Sequence, residues 1–337
     1  MTPGKLATLA ALLLIMAGAM LLRVHADPAG VAGLIDYART GRLAPLDLVV
    51  AAGRARRVVV LGDVHAAAAP KRLAADAIEA LARGPGLDVV VLEVDAALQP
   101  VIDAYLAGAQ EDVTPLLLHP RTLGAGGAPR EFLEIYRRVW RLNHGFAPGR
   151  RIRILAADLP GWPPERALPP AAAAALFARR DTYMAERIER QVLRGDPGAR
   201  ALVFVGGYHA LKMGGAELSV GGGAPRAVTW LGARLRSRHP GEVFSILTDG
   251  AGGSAAYTAV AAFRSTRVAE LLRRNLPEIT APFALRVDDR FDFLHRPILE
   301  VGAPGLGLTL RPDDYRLRDL VDGYIYLGVT GAPTGAE

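Results

Sequence analysis

Arg57-Val58-Val59-Val60-Leu61-Gly62-Asp63-Val64-His65 and Ala201-Leu202-Val203-Phe204-Val205-Gly206-Gly207-Tyr208-His209 are two versions of one design, an apolar run closed by Gly-x-x-His. A short, β-branched run that ends in glycine is the pattern of a buried parallel strand. The histidine three residues on then lies on the loop just past the strand's carboxyl end. In an open α/β sheet that edge is where ligands bind. Two such loops place two imidazoles over one crevice.

Outward from these loops the chain alternates between strand and helix. Strands are expected at 58–61, 88–93, 151–156, 201–205 and 242–248, with a closing strand at 323–329. Helical spacing covers 71–82, 99–106, 130–142, 170–193 and 268–275, and a short element lies at 48–52. The alternation predicts an α/β fold, a mostly parallel sheet with helices on both faces. The unit 58–93 reads as strand, helix, strand with a right-handed crossover. Residues 27–337 are expected to form one domain, in which the helical stretch at about 95–195 is an insertion that caps the sheet's edge.

Composition narrows the function classes. The 337 residues are 51% hydrophobic and 22% charged, a globular balance. The formal charge is +6, but its arginines are scattered and no run resembles a basic arm, so no nucleic-acid partner is expected. Lysine occurs only as Lys5, Lys71 and Lys212. The absence of cysteine excludes disulfides, thiol catalysis and a lipoprotein anchor. Lys5, the apolar stretch 6–22 and Val24-His25-Ala26 before Asp27 read as a signal peptide over residues 1–26. Left uncleaved, the stretch is close to the roughly 17 residues a membrane anchor needs. Both readings put the remainder outside the cytoplasm, secreted or periplasmic, or attached to the inner membrane through 6–22. The chain has no His-Glu-x-x-His, no Gly-x-Ser-x-Gly, no lysine after a glycine-rich phosphate loop and no Gly-x-Gly-x-x-Gly after a strand. Zincin, serine hydrolase, nucleotide hydrolase and dinucleotide oxidoreductase chemistries are thereby disfavoured.

Three strand ends carry the candidate chemistry: His65, Glu93 and His209. A carboxylate is costly at the end of a buried strand unless it is paired, which singles out Glu93. Two imidazoles and a carboxylate suit a divalent metal. They equally suit a general base with an orienting partner. Asp63, inside the first loop, and Asp158, at a third strand end, are secondary candidates. Tyr208 reads as a packing aromatic.

The same residues, taken in order, resemble a known superfamily. Leu61-Gly62-Asp63-Val64-His65 comes first, then Val91-Leu92-Glu93 with Gln99 and Asp103-Ala104-Tyr105-Leu106. Arg180-Asp181-Thr182-Tyr183-Met184-Ala185 and Val205-Gly206-Gly207-Tyr208-His209 follow, and Asp322-Gly323-Tyr324-Ile325-Tyr326-Leu327-Gly328 is similar to a closing strand. This order resembles the superfamily that joins erythromycin-esterase-like proteins, ChaN-like haem-binding lipoproteins and TIKI/TraB proteins. The resemblance implies a polar site built from the two Gly-x-x-His loops and the glutamate, with His65, Glu93 and His209 at matching positions. It also lifts Arg180-Asp181, which resembles a helix motif of the esterase-like and ChaN-like branches. Asp63 departs from the glutamate those branches usually carry, and Ala66-Ala67-Ala68-Ala69 replaces residues that tend to be polar.

Two functions follow as expectations. One is an extracytoplasmic hydrolase of an ester or amide bond in a small-molecule or peptide substrate. In it His65, supported by Glu93, activates water while His209 and Arg180 steady the oxyanion. Alternatively a divalent metal held by His65, Glu93 and His209, with Asp158, activates that water. The other function is haem or iron binding of the ChaN-like type, with Tyr208 or Tyr183 as ligand.

Overall fold

The computed structural model describes residues 28–65, 67–124, 128–147, 150–164, 166, 168–220, 223–252, 267–294, 306–310 and 315–330. The expected signal or anchor at 1–26 lies outside these residues. Among the described residues no helix is long and apolar enough to cross a membrane.

The two apolar runs closed by Gly-x-x-His are the strands β1 (Val58–Asp63) and β4 (Ala201–Gly206), buried along their whole length. Between them in sequence come β2 (Val89–Asp95) and β3 (Arg153–Asp158). The sheet is completed by β7 (Val243–Gly252), β8 (Phe283–Arg286) and β10 (Gly323–Thr330). Its seven strands run in the order β3-β2-β4-β1-β7-β10-β8. Every pairing is parallel except that of β8 with β10. β4 is therefore wedged between β1 and β2, although β1 and β2 are joined directly through one helix.

Alternate residues of each strand serve opposite faces. Val59, Leu61, Val90, Leu92, Leu202 and Phe204 pack on one face beneath α2 (Pro45–Ala55), α3 (Ala68–Arg83), α4 (Gln99–Ala107) and α5 (Pro129–Gly145). Val58, Val60, Val89, Val91 and Val203 pack on the other, beneath α6 (Pro170–Ile188) and α7 (Leu231–Arg238). Parallel strands covered on both faces require this continuous apolar run. A third cluster joins α1 (Pro28–Thr40) and α8 (Arg267–Asn275) to β8, β10 and a small antiparallel sheet. That sheet, in the order β6-β5-β9, consists of β5 (Ala216–Val220), β6 (Arg226–Val228) and β9 (Leu306–Leu310). It had no clear pattern in the sequence, because its strands are three to five residues long. The helices between 95 and 195 contribute to both layers over the sheet. At the carboxyl edge, Leu123 and Gly124 of the turn 120–124 wall a cleft.

Candidate active site

Strand register brings the polar residues to one level. Asp63 lies opposite Gly206, and the β2–β4 pairing ends at Leu92 and Phe204, so Glu93 emerges beside the end of β4. The backbone N–H of Gly206 donates to Glu93 Oε2 at 2.6 Å. A Cβ on Gly206 would stand 2.7 Å from His65 Nε2 and 3.3 Å from Glu93 Oε2. The glycine that closes the second run is therefore required by the close approach of the first run's histidine.

His65 donates from Nδ1 to Asp63 Oδ2 at 2.9 Å. An ionised carboxylate only accepts, which fixes the Nδ1–H tautomer and leaves the Nε2 lone pair free. Nε2 stands 4.0 Å from Glu93 Oε2, and the side chain is 41% exposed. Burial works to lower the pKa of His65, but the Asp63 hydrogen bond and the charges of Glu93 and Asp63 outweigh it and raise it. On the far side of Asp63 lies Lys71, whose side chain is 1% exposed. Its ammonium donates to Asp63 Oδ1 at 3.0 Å and Oδ2 at 2.9 Å, and to the carbonyls of Val64 at 3.2 Å and His65 at 2.6 Å.

Glu93 is the hub of the inner part. It accepts from Arg180 Nη2, and His209 Nε2 lies 3.3 Å from its Oε1. Burial pushes the Glu93 carboxyl up, yet His209 and Arg180 hold it well below the ordinary range. His209 donates from Nδ1 to Asp181 Oδ1 at 2.8 Å, and the same oxygen accepts the N–H of Leu231, the first residue of α7, at 2.6 Å. Burial opposes the charged form of His209, but Asp181 and Glu93 prevail and raise its pKa to about 10. Arg180 also grips Asp158, from Nε at 3.0 and 3.2 Å and from Nη2 at 2.5 Å. Its guanidinium lies over the rings of Trp162 at 4.2 Å and Phe177 at 5.1 Å. Both carboxylates and the cation are buried.

The structure thus gathers His65, Glu93, His209, Arg180 and Asp158. Asp63, a secondary candidate in the sequence, and Asp181, named there only beside Arg180, are the partners that orient the two imidazoles. Lys71 was missed, although it is one of three lysines in the chain and lies six residues after His65. The expected metal set does not form: among the described residues no group of three His, Asp or Glu converges as a metal ion needs. The guanidinium of Arg180 instead bridges Glu93 and Asp158, and His209 is engaged at both nitrogens. Tyr208 stacks on Trp230, ring centroids 5.6 Å apart. Tyr183 is half-buried on α6 and takes part in none of the hydrogen bonds above. Neither forms an open haem-ligand position with this cluster.

The cleft in front of His65 is lined by Asp63, His65, Lys71 and Glu93 together with Leu123, Gly124, Phe132 and Phe204. Its enclosed part has room for about one water molecule. The wall is fixed by Tyr136, whose hydroxyl donates to the Thr122 carbonyl at 2.5 Å.

No family model and no curated protein sequence matches the chain. Solved structures do. A mutant of the erythromycin esterase EreC in its open conformation superposes with a TM-score of 0.58 at 11% identity, covering 86% of this chain and 95% of that one. A Bacillus cereus protein gives 0.60 at 11% identity, covering 91% and 99%. A succinoglycan biosynthesis protein gives 0.61 at 11% identity, covering 89% and 97%. Nearly the full length of each is shared, and the chain has the erythromycin-esterase-like fold.

Proposed function

We propose that this chain is a hydrolase that cleaves an ester or amide bond of a small-molecule or peptide substrate with a water activated by His65. The observation that carries the reading is the 4.0 Å gap between His65 Nε2 and Glu93 Oε2, at a cleft with room for about one water. That gap is too long for a direct hydrogen bond and suits a water that donates to both atoms. Such a water has both protons engaged and its lone pairs free for a carbonyl carbon.

His65 takes one proton as the water attacks. It carries that proton as an imidazolium between Asp63 and Glu93, then delivers it to the leaving oxygen or nitrogen. Glu93 remains a carboxylate throughout, because Arg180 and His209 stabilise its charge. Arg180 and His209 are directed at Glu93, so in this reading they hold that carboxylate rather than the oxyanion. The donor set does not fit a divalent ion, because Arg180 bridges Glu93 and Asp158 and His209 is engaged at both nitrogens. The extracytoplasmic location belongs to the same proposal and rests on the sequence of residues 1–26.

The test is hydrolysis of a panel of activated esters and peptides by the wild-type protein and His65→Ala. Loss of about 10²–10⁴-fold in kcat with the fold intact is expected from removal of a general base. Equal turnover by His65→Ala would overturn the reading.

A further inference from the structure

Lysine is scarce in this chain: of 40 basic Lys and Arg residues, 37 are arginine. Of the three lysines, Lys71 is almost wholly enclosed and stands behind the one site histidine that meets the cleft. Its ammonium has four acceptors within 3.2 Å, and they are of two kinds. Two are the oxygens of Asp63, the carboxylate that binds His65 Nδ1. The other two are consecutive main-chain carbonyls, of Val64 and of His65 itself.

One charged group therefore holds both the ring's partner and the ring's own backbone. With both oxygens engaged, the Asp63 carboxylate cannot turn away from the imidazole. With its carbonyl held, residue 65 cannot swing out on the loop between β1 and α3. The arrangement also explains the residue type. A guanidinium is a planar fork suited to one carboxylate, whereas an ammonium is a compact charge with three diverging protons. Four acceptors around a single point call for the ammonium.

We propose that Lys71 is the positioning residue of this site, fixing the tautomer and orientation of His65 through Asp63 and the loop backbone. The inference rests on the hydrolase reading only for its kinetic consequence; the geometry it describes is independent of any substrate. Side chains facing His65 come from three elements: Asp63 from β1, Glu93 from β2 and, behind Asp63, Lys71 from α3.

The test compares wild type, Lys71→Met and Lys71→Arg by ¹⁵N NMR of the His65 ring, and by steady-state kinetics once a substrate is in hand. Wild type should show a single Nδ1–H tautomer. Lys71→Met should show mixed tautomers and a fall in kcat of about 10-fold or more at unchanged KM, the mark of lost positioning. Lys71→Arg should not restore either. A folded Lys71→Met protein with the wild-type tautomer and kcat would overturn the proposal. Should Lys71→Met fail to fold, wild type decides. Slowly exchanging Lys71 ammonium protons with a cross-peak to the His65 Nδ1 proton support it, and a freely exchanging ammonium overturns it. A wild-type protein that shows the tautomer signature but hydrolyses nothing would sink the hydrolase reading and leave the positioning role standing.

Discussion

Gly206 has no room for a side chain, and that makes it the sharpest single-residue probe of the site. In Gly206→Ala the new methyl would lie 2.7 Å from His65 Nε2, so the half-exposed ring must move outward and the place proposed for the water beside Glu93 is lost. Activity should fall by about 10²-fold, as for a general base moved by an ångström. The chemical-denaturation midpoint should change little, because the displaced ring moves towards solvent. In the proposed mechanism His65 also sets the pH dependence. It acts as a base only when neutral and its pKa is raised above 6.5, so kcat/KM should fall as pH drops through that raised value. An acid limb at or below 6.5 would contradict the Asp63 and Glu93 contacts. Two groups in the interior carry the opposite kinds of linkage. His209 has a folded pKa of about 10 against 6.5, so its contribution to stability is full below 6.5 and is lost as pH rises towards 10. Glu93 is held below 4.5, so its contribution is full above 4.5 and is lost as pH falls through the lowered value. Thermal unfolding across pH should therefore show that His209→Gln costs least at alkaline pH.

Arg180 does its work between elements: it ties α6 to the ends of β2 and β3 through Glu93 and Asp158. Arg180→Met leaves two buried carboxylates without their cation, a change that costs about 3–5 kcal/mol. Urea unfolding should show most of that loss, and Glu93→Gln in the same background should recover part of it by removing one of the like charges. Asp181, one residue on, joins α6 to the start of α7 while holding His209. At this scale the sequence was legible where burial imposes a period. β1, β2, β3 and β4 announced themselves because both faces are covered, and α3 and α5 because one face is. The edges of the pattern were less clear. The helix expected from 71 begins at Ala68 within an alanine run that has no capping side chain to mark its start. β6, just before α7, left no mark, because three residues of strand are too few to show alternation. The candidate site was legible as chemistry, from a repeated loop and a carboxylate at a strand end. Its partners were not, because nothing in a linear chain reveals that Asp181 faces His209 or that Arg180 pairs with both Glu93 and Asp158.

Across the whole molecule, the order β3-β2-β4-β1 decides when the site can exist. β1 and β2 pair with β4 and not with each other, so each lacks its neighbour on that side until residues 201–206 insert between them. A fragment ending before β4 should show helical signal without the cooperative unfolding of the full chain, as circular dichroism against urea would reveal. Pairings so distant in sequence are slow to form. The consequence concerns timing. A chain made or threaded from its amino terminus exposes His65 and Glu93 long before His209 follows. Until that last loop is in place there is no Gly206 amide on Glu93 and no imidazolium beside it. If the chain is the proposed hydrolase, its site is thus incomplete by construction until the centre strand arrives.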